Sequence, residues 1–272
     1  MELHVLKQKS GSVSPDAMIR SIKRAQAIIA RPMSLETQLD GATAYTSPKY
    51  SAIAIANGVM DVRIVEGGSA GAVVDAIDAR FAEAGTTCLR FECNEMNWPA
   101  DIASLLKQRE CRAIRQGVYQ LLQYQPATAS PAVQVIPGRA AYAQVGKLFR
   151  AIAMERSHSE VAADQWADAI IDQLDDSRID LFLARKERVV VGGASVLTLG
   201  NVGVILDWAA LAGDASEEVW QTLSARVIDH CQRAQFEQVL ISLDEGDARI
   251  ARFVAMGFVL AASYERYERS GR

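Results

Sequence analysis

The chain has 272 residues, a formal net charge of −4, and a composition that is 50% hydrophobic and 23% charged. This composition is typical of a globular protein with a buried core and excludes a disordered chain. At roughly 150 residues per domain, the length predicts two domains. The slight acidic excess argues against a nucleic-acid partner. The sequence shows no signal peptide and no run of about 18 apolar residues, which predicts no membrane association.

The cysteines and histidines argue against a disulfide framework or a metal site. None of the four cysteines forms a CxxC pair, and the three histidines stand apart from one another. We therefore predict a cytoplasmic protein that holds no metal.

The first half predicts a mixed α/β domain. A helix begins at Ser14-Pro15, because serine caps helices and proline favours their first position. Two strand-like runs, residues 50–56 and 59–65, flank Asn57-Gly58 and predict a hairpin. The remaining elements are a helix ending at residue 85, a strand over 86–92, a helix over 98–109 and a strand over 118–124.

The second half repeats this order after a linker. Residues 125–131, QPATASP, are small and polar and lie between prolines, which predicts domains over 1–126 and 132–272. In both halves a long helix, a strand, a short helix and a strand follow one another. Cys111 aligns with Gly257 at an offset of 146 residues. This order indicates duplication of one mixed α/β unit.

The second half resembles the GNAT superfamily of acyl-CoA-dependent N-acyltransferases. The shared features are a strand, two helices, a three-stranded meander, a long helix, a strand, and a short helix that ends in Gly257-Phe258. The first half resembles a degenerate copy of the same domain. The resemblance implies an α/β fold (a mixed α+β sheet) of two tandem GNAT-like domains. It also implies transfer of an acyl group, from acetyl-CoA or another acyl-CoA, to an amine on a small molecule or a peptide.

The resemblance further implies a loop, Gln/Arg-x-x-Gly-x-Gly/Ala, whose amides hold the coenzyme A pyrophosphate at the start of the long helix. In the second half the three defining positions fall on Ala215, Glu218 and Trp220, which do not suit this role. Asp214 and Glu217 fit a capping box instead. Three acidic side chains would repel a pyrophosphate here, so we predict no conventional phosphate binding at this helix.

The first half keeps more of this loop. Gly68, Ser69 and Ala70 match Gly-x-Gly/Ala, with Gly67 and Gly71 beside them. The Gln/Arg position holds a valine at residue 65. A phosphate cradle and a plain strand-to-helix turn both fit this pattern. If the chain binds acetyl-CoA or another acyl-CoA, these five residues are its predicted site.

The implied reaction needs a group that takes a proton from the amine and another that gives one to the leaving thiolate. The resemblance places a carboxylate on the strand before the loop and a tyrosine on the short helix. Asp207 is the only acid on that strand in the second half and is the predicted catalytic base, although a structural aspartate also fits. The tyrosine position holds Phe253, which cannot give a proton. Tyr264 and Tyr267 are predicted to be sheet residues.

Two hypotheses follow. The chain is an N-acyltransferase that transfers directly from the thioester, or it is a catalytically inactive GNAT-fold protein used for ligand sensing or protein association. The altered loop and Phe253 favour the second. Glu155 and His158, between two predicted helices, either line the substrate mouth or are solvated. The sequence specifies neither the acceptor, nor the acyl group, nor the oligomeric state.

Overall fold

The structure is a computed structural model that describes residues 13–93, 97–124, 129–156, 158–212 and 216–269. Helices and strands alternate in a mixed α/β arrangement. The helices are α1 (Pro15–Ala30), α2 (Ala70–Glu83), α3 (Ala100–Gln108), α4 (Tyr142–Glu155), α5 (Glu160–Gln173), α6 (Ser216–Arg233) and α7 (Ile250–Ala255). The strands are β1 (Leu35–Leu39), β2 (Ala42–Thr46), β3 (Gly58–Met60), β4 (Arg90–Phe91), β5 (Cys111–Leu121), β6 (Val133–Pro137), β7 (Ile179–Lys186), β8 (Val189–Leu199), β9 (Val202–Ala210), β10 (Gln238–Asp244) and β11 (Phe258–Arg269).

The chain forms two compact units. The N-terminal unit consists of the described residues of Pro15–Gly117 and of those from Ala262 onward, and the C-terminal unit consists of the described residues of Val118–Ala261. The last strand, β11, therefore begins in the C-terminal unit and ends in the N-terminal unit. The contiguous domains predicted from the sequence, 1–126 and 132–272, stay a prediction.

The C-terminal unit is built on the predicted meander. Strands β6, β7, β8 and β9 pair antiparallel in that order, and β10 pairs parallel with β9. Helix α6 packs on the sheet at Gly192 of β8, where an added Cβ would lie 2.6 Å from Val219. The helical spacing of its buried side chains explains this packing. These are Val219, Trp220, Leu223, Val227, Ile228 and Cys231.

The N-terminal unit has a smaller core. Strands β1 and β2 form a hairpin, β2 pairs antiparallel with β3, β3 pairs parallel with β4, and β4 pairs antiparallel with β11. The apolar face of α2 packs against the side chains of α3, β4 and β11. Members of this core include Val73, Val74, Ile77, Phe81, Phe91, Ile102, Leu106 and Tyr267.

The hairpin predicted over residues 50–56 and 59–65 is wrong. The hairpin lies earlier in the chain, between β1 and β2, where Gly41 has the positive φ of 90° that a tight turn requires. Residues 50–57 form consecutive turns, and only Gly58–Met60 forms a strand. The Asn-Gly pair therefore ends a loop and does not connect two strands.

The side chain of Asn57 explains this loop. It is fully buried, and its Nδ2 donates to the Tyr50 carbonyl at 2.7 Å. Its Oδ1 accepts from the Ser47 amide at 2.9 Å and from the Thr86 hydroxyl at 3.0 Å. An asparagine side chain that bonds backbone groups in this way competes with strand pairing.

Among the helices of the described ranges, none has both the length and the hydropathy needed to cross a bilayer. The four cysteines, at positions 88, 93, 111 and 231, are all buried thiols, and no disulfide joins them.

Candidate functional site

Strands β9 and β10 separate along their length. They pair over four residue pairs, from Val202↔Gln238 to Ile205↔Ile241, although β9 continues to Ala210. On its other edge β9 stays paired with β8 as far as Ala210. The edge of β9 beyond Ile205 is therefore open toward β10, and its backbone groups need partners from elsewhere.

A β-bulge lies at the start of this open edge. Between the pairs Ala194↔Trp208 and Val196↔Ile205 the chain advances by two positions on β8 but by three on β9. The extra residue lies next to Asp207, whose amide donates to Ser195 Oγ at 3.2 Å. Bulges of this kind redirect side chains and end regular pairing.

Asp207, the predicted base, is partly exposed at this bulge. Desolvation raises the pKa of its carboxyl group, and the guanidinium groups of Arg249 and Arg156 oppose that shift. The side chain thus lies beside the open edge but faces two cations. Its role as a base stays a prediction.

Arg249 supplies a partner for the open edge. Its Nη1 donates to the Trp208 carbonyl at 3.0 Å, while Nε and Nη2 donate to Asp247 at 2.9 and 2.6 Å. Desolvation tends to raise the pKa of Asp247, but the hydrogen bonds from Arg249 outweigh it and the pKa is lowered. A backbone acceptor between the separated strands is therefore already bound by a side chain of the same unit.

An aromatic cluster fills the space between β9, α6 and α7. The Trp208 ring stacks on Trp220 with centroids 5.2 Å apart, and the Phe253 ring meets both edge-on at 5.3 Å. Phe253 is fully buried, so the position that the resemblance assigns to a tyrosine holds a core residue.

The start of α6 is acidic, as the sequence predicts. Glu217 and Glu218 lie in its first turn, at 3.3 Å from Arg252 and 3.2 Å from Lys186 respectively. Both ion pairs are solvent-exposed, so each contributes little to the stability of the fold. Ala215 and the predicted capping residue Asp214 lie outside the described residues.

The start of α2 differs from that of α6. Ser69 is its N-cap, and Ser69 Oγ accepts from the Ala72 amide at 3.2 Å. Gly67 has a φ of 73°, and the Gly68 amide donates to the Val65 carbonyl at 2.9 Å. Residues 67–71 are exposed or half-exposed, and the first turn has no acidic side chain. The unpaired amides of this turn therefore face solvent with a favourable dipole.

No family model matches this sequence, and no curated protein matches it. Solved structures do match. A functionally unknown conserved protein from Staphylococcus epidermidis has a TM-score of 0.63 at 10% identity, over 88% of this chain and 95% of its own. A GCN5-related N-acetyltransferase from Kribbella flavida gives 0.57 at 10% identity, over 96% and 98%. Another from Sphaerobacter thermophilus gives 0.51 at 15%, over 73% and 65%. The chain has the GNAT fold.

The predicted mixed α/β GNAT fold is thus confirmed. The order of helix, three strands, helix, strand, helix and strand occurs twice along the chain, from α1 to β5 and from α5 to β11. This repeated order supports the interpretation that one GNAT-like unit is used twice.

The repeat identifies an acid that the sequence analysis missed. Asp61 precedes the first residue of α2 by nine positions, and Asp207 precedes the first residue of α6 by the same number. Asp61 also has a left-handed backbone, with a φ of 60°, where β3 ends. Asp61 and Asp207 are 146 residues apart, which is the offset that aligns Cys111 with Gly257. Applying this offset to Asp207 would have identified Asp61 from the sequence alone.

A buried polar cluster in the N-terminal unit was also missed. Lys23 of α1 is 6% exposed, and its amine lies 5.1 Å from the centre of the Tyr264 ring. Glu92 is 1% exposed and accepts from Arg90 Nε at 2.6 Å. With its amide nitrogen toward Glu92, Gln26 donates to that carboxylate at 2.8 Å and accepts from the Tyr264 hydroxyl at 3.2 Å. Tyr264 thus belongs to a polar cluster as well as to the sheet.

The other predicted site residues do not gather in one place. Glu155 accepts from the Ala212 amide at 3.1 Å, which fixes the loop after β9. His158 is exposed. Tyr267 is buried in the N-terminal core, with its ring edge-on to Trp98 at 5.1 Å. Within the described ranges, no group of three or more His, Cys, Asp or Glu side chains is arranged to hold a metal ion.

Proposed function

We propose that this protein is an N-acyltransferase that moves an acyl group, acetyl in the simplest case, from an acyl-CoA to an amine of a small molecule or a peptide. The start of α2 carries the proposal. It combines the exposed glycines Gly67 and Gly68, the Ser69 cap and a first turn without a carboxylate. Such a turn is suited to a pyrophosphate, because its amides and its dipole favour negative charge.

The N-terminal unit also offers a carboxylate for the removal of the amine proton. In the proposed reaction the neutral amine attacks the thioester carbonyl, the C–S bond breaks, and the thiolate takes up a proton. We assign the removal of the amine proton to Asp61, and the thiolate takes its proton from solvent. Asp207 occupies the corresponding position in the C-terminal unit.

Calorimetric titration of the full chain with acetyl-CoA and with free coenzyme A tests the cofactor site. Gly71 is the best position for a variant, because an added Cβ would have Ser69 Oγ at 3.9 Å as its nearest neighbour. Gly71→Glu places a carboxylate in the first turn of α2 and should weaken binding at least about tenfold, whereas Gly71→Ala should not. Glu218→Gly, at α6, should leave binding unchanged. The absence of heat at millimolar ligand, or equal binding by the two Gly71 variants, would contradict the proposed site.

Release of free thiol from acetyl-CoA in the presence of a panel of primary amines tests the chemistry. Asp61→Asn should lower kcat on the order of 100-fold if Asp61 is the base, and Asp207→Asn should not. The reverse result would move the active site to the C-terminal unit.

A second candidate function is a catalytically inactive GNAT-fold protein used for ligand sensing or protein association. The observation that favours it is the hydrogen bond from Arg249 to the Trp208 carbonyl, which occupies the open edge of β9. Binding of acetyl-CoA without thiol release for any amine would support this function. For either function we propose a cytoplasmic location, where buried cysteines stay reduced.

A further inference from the structure

Strand β1 forms an open edge of the sheet in the N-terminal unit. It pairs antiparallel with β2, from Leu35↔Thr46 to Leu39↔Ala42, and no other strand of the described residues pairs with it. Its pairing with β2 has no bulge, and its sequence, LETQL, contains no proline, lysine or arginine. Proteins commonly protect an open edge with such features, because unpaired backbone groups recruit another strand. The edge of β1 lacks this protection.

The peptide that precedes β2 shows which backbone groups of β1 face this edge. The Gly41 carbonyl accepts from the Arg63 amide, on the β3 side of β2, so the Ala42 amide of the same trans peptide points toward β1. Hydrogen-bonded and non-bonded positions alternate along an antiparallel pair, so the odd-numbered residues of β1 bond β2. The even-numbered residues, Glu36 and Gln38, therefore direct their amides and carbonyls to the open edge, where no described residue bonds them.

The sequence of β1 is complementary to itself when a second copy runs antiparallel along this edge. With a two-fold axis at Thr37, Glu36 of each copy lies opposite Gln38 of the other, and each of these pairs can exchange two backbone hydrogen bonds. The side chain of Glu36 then meets a neutral amide. On the other face of the sheet Leu35, which is 63% exposed, meets the half-exposed Leu39 of the second copy and loses contact with water.

Charge disfavours the neighbouring registers. The axis must pass through a residue, because the outward-facing positions of the two copies have to meet. An axis at Glu36 places two glutamates directly opposite each other, and an axis at Gln38 places Glu36 opposite Asp40. Like charges at such positions destabilise strand pairing. The ion pair of Glu36 with Arg31, at 2.8 Å, is exposed and offsets this repulsion only in part. The axis at Thr37 avoids both contacts.

We propose that β1 pairs with β1 of a second copy of this chain. The two N-terminal units then form a symmetric dimer in which their sheets are continuous across the axis at Thr37. The interface consists of one strand from each copy, with its backbone hydrogen bonds and two contacts between Leu35 and Leu39. Because this interface is small, the dimer forms in a concentration-dependent way. The inference does not depend on the proposed acyl-CoA site.

Sedimentation equilibrium of the full chain over a range of protein concentrations tests the proposal. The wild-type protein should pass from monomer to dimer as its concentration rises. Gln38→Glu places a glutamate opposite Glu36 in both pairs and should weaken dimerisation about tenfold. Gln38→Lys places a lysine there and should strengthen dimerisation at least about threefold. Gln108→Glu makes the first charge change at an exposed position of α3 in the same unit and should have no effect.

Two further measurements locate the interface. Leu35→Asp should weaken dimerisation, whereas Val161→Asp, at an equally exposed residue of α5, should not. In hydrogen exchange the amides of Glu36 and Gln38 should gain protection as protein concentration rises, because they face the second copy. Urea unfolding of each variant shows that the fold is kept.

Several outcomes would overturn the proposal. A monomeric mass at every concentration up to about 0.5 mM would leave no dimer to explain. A dimer that neither Gln38→Glu nor Leu35→Asp weakens, or one without concentration-dependent protection of β1, would place the interface elsewhere. Equal effects of Gln38→Glu and Gln38→Lys would contradict the axis at Thr37, because only that register places residue 38 opposite Glu36.

Discussion

Lys23 places an amine inside the N-terminal unit, where it contacts the Tyr264 ring and, among the described residues, makes no hydrogen bond. Desolvation lowers the pKa of this amine from its model-compound value of 10.5, although Glu92 opposes the shift. Between the folded-state pKa and 10.5 the unfolded chain binds more protons than the folded chain. Stability should therefore rise with pH across that window.

Replacing Lys23 by methionine should remove this dependence. We expect Lys23→Met to raise the free energy of unfolding at pH 7 by about 1 kcal/mol, because an unpaired buried polar group is replaced by an apolar one of similar shape. Urea unfolding at pH 7 and pH 9 measures both effects. Lys107→Met, at an exposed position of α3, is the control and should change neither. A destabilised Lys23→Met protein would mean that the amine is paired.

Asn57 is the opposite case, a buried polar side chain with its partners in place. Asn57→Ala leaves the Tyr50 carbonyl and the Ser47 amide without their side-chain partners. We expect it to destabilise the protein by about 2–3 kcal/mol, measured by urea unfolding. Thr86→Val removes only one of the bonds and should cost less. A cost below about 0.5 kcal/mol for Asn57→Ala would show that water replaces the side chain.

The residues of the candidate site were only partly predictable from the sequence. The position of residues 67–71 before α2 could be predicted because glycines before an amphipathic helix form a local pattern, while their role in binding acyl-CoA stays a prediction. The cluster of Lys23, Glu92 and Tyr264 joins positions far apart in the chain, and no local spacing indicates such contacts. Arg249 was missed for the same reason, since its role depends on the separation of β9 and β10.

Among the elements, the helices were predicted well and the first strands poorly. An apolar stripe at helical spacing identifies α2 and α6, because both bury one face against a sheet. The hairpin was predicted in the wrong place because Asn-Gly indicates a turn both between two strands and at the end of a loop. The side-chain hydrogen bonds of Asn57, which decide between loop and hairpin, come from tertiary structure.

The contact between α6 and β8 gives a prediction for two glycines. Gly192→Ala puts a methyl group 2.6 Å from Val219 Cγ1 and should destabilise the protein by about 1–3 kcal/mol. Gly71→Ala makes the same chemical change in open space within a helix, and should stabilise by up to about 1 kcal/mol. Denaturant unfolding of the two variants compares them directly. Equal effects would mean that α6 shifts freely over the sheet.

At the scale of the whole molecule, the main feature is that the residues of strand β11 are shared between the two units. Ala262–Arg272 belongs to the N-terminal unit, in which Tyr267 pairs with Phe91 of β4. Trp98 Nε1 also donates to the Glu265 carbonyl at 2.9 Å. The unit that holds the proposed acyl-CoA site is therefore discontinuous in sequence.

Removal of residues 262–272 should unfold the N-terminal unit while the C-terminal unit keeps its core. Hydrogen exchange should then be fast in α2 and β3 and remain slow in α6 and β9. Tyr267→Phe keeps the ring and the backbone and is the control that should preserve protection. Protection of α2 in the truncated chain would show that a contiguous N-terminal domain folds alone, as the predicted boundary at residues 1–126 requires.

The position of β11 in the chain also determines when the N-terminal unit can complete its fold during synthesis. Ribosomes add about 5–20 residues per second, so the N-terminal unit waits on the order of ten seconds for its last strand after residue 117 is made. During that interval the apolar surface around Phe91 has no partner from β11, which exposes the nascent chain to chaperones and proteases. A chain that stops before residue 262 never completes this unit and would not acquire the proposed acyl-CoA site.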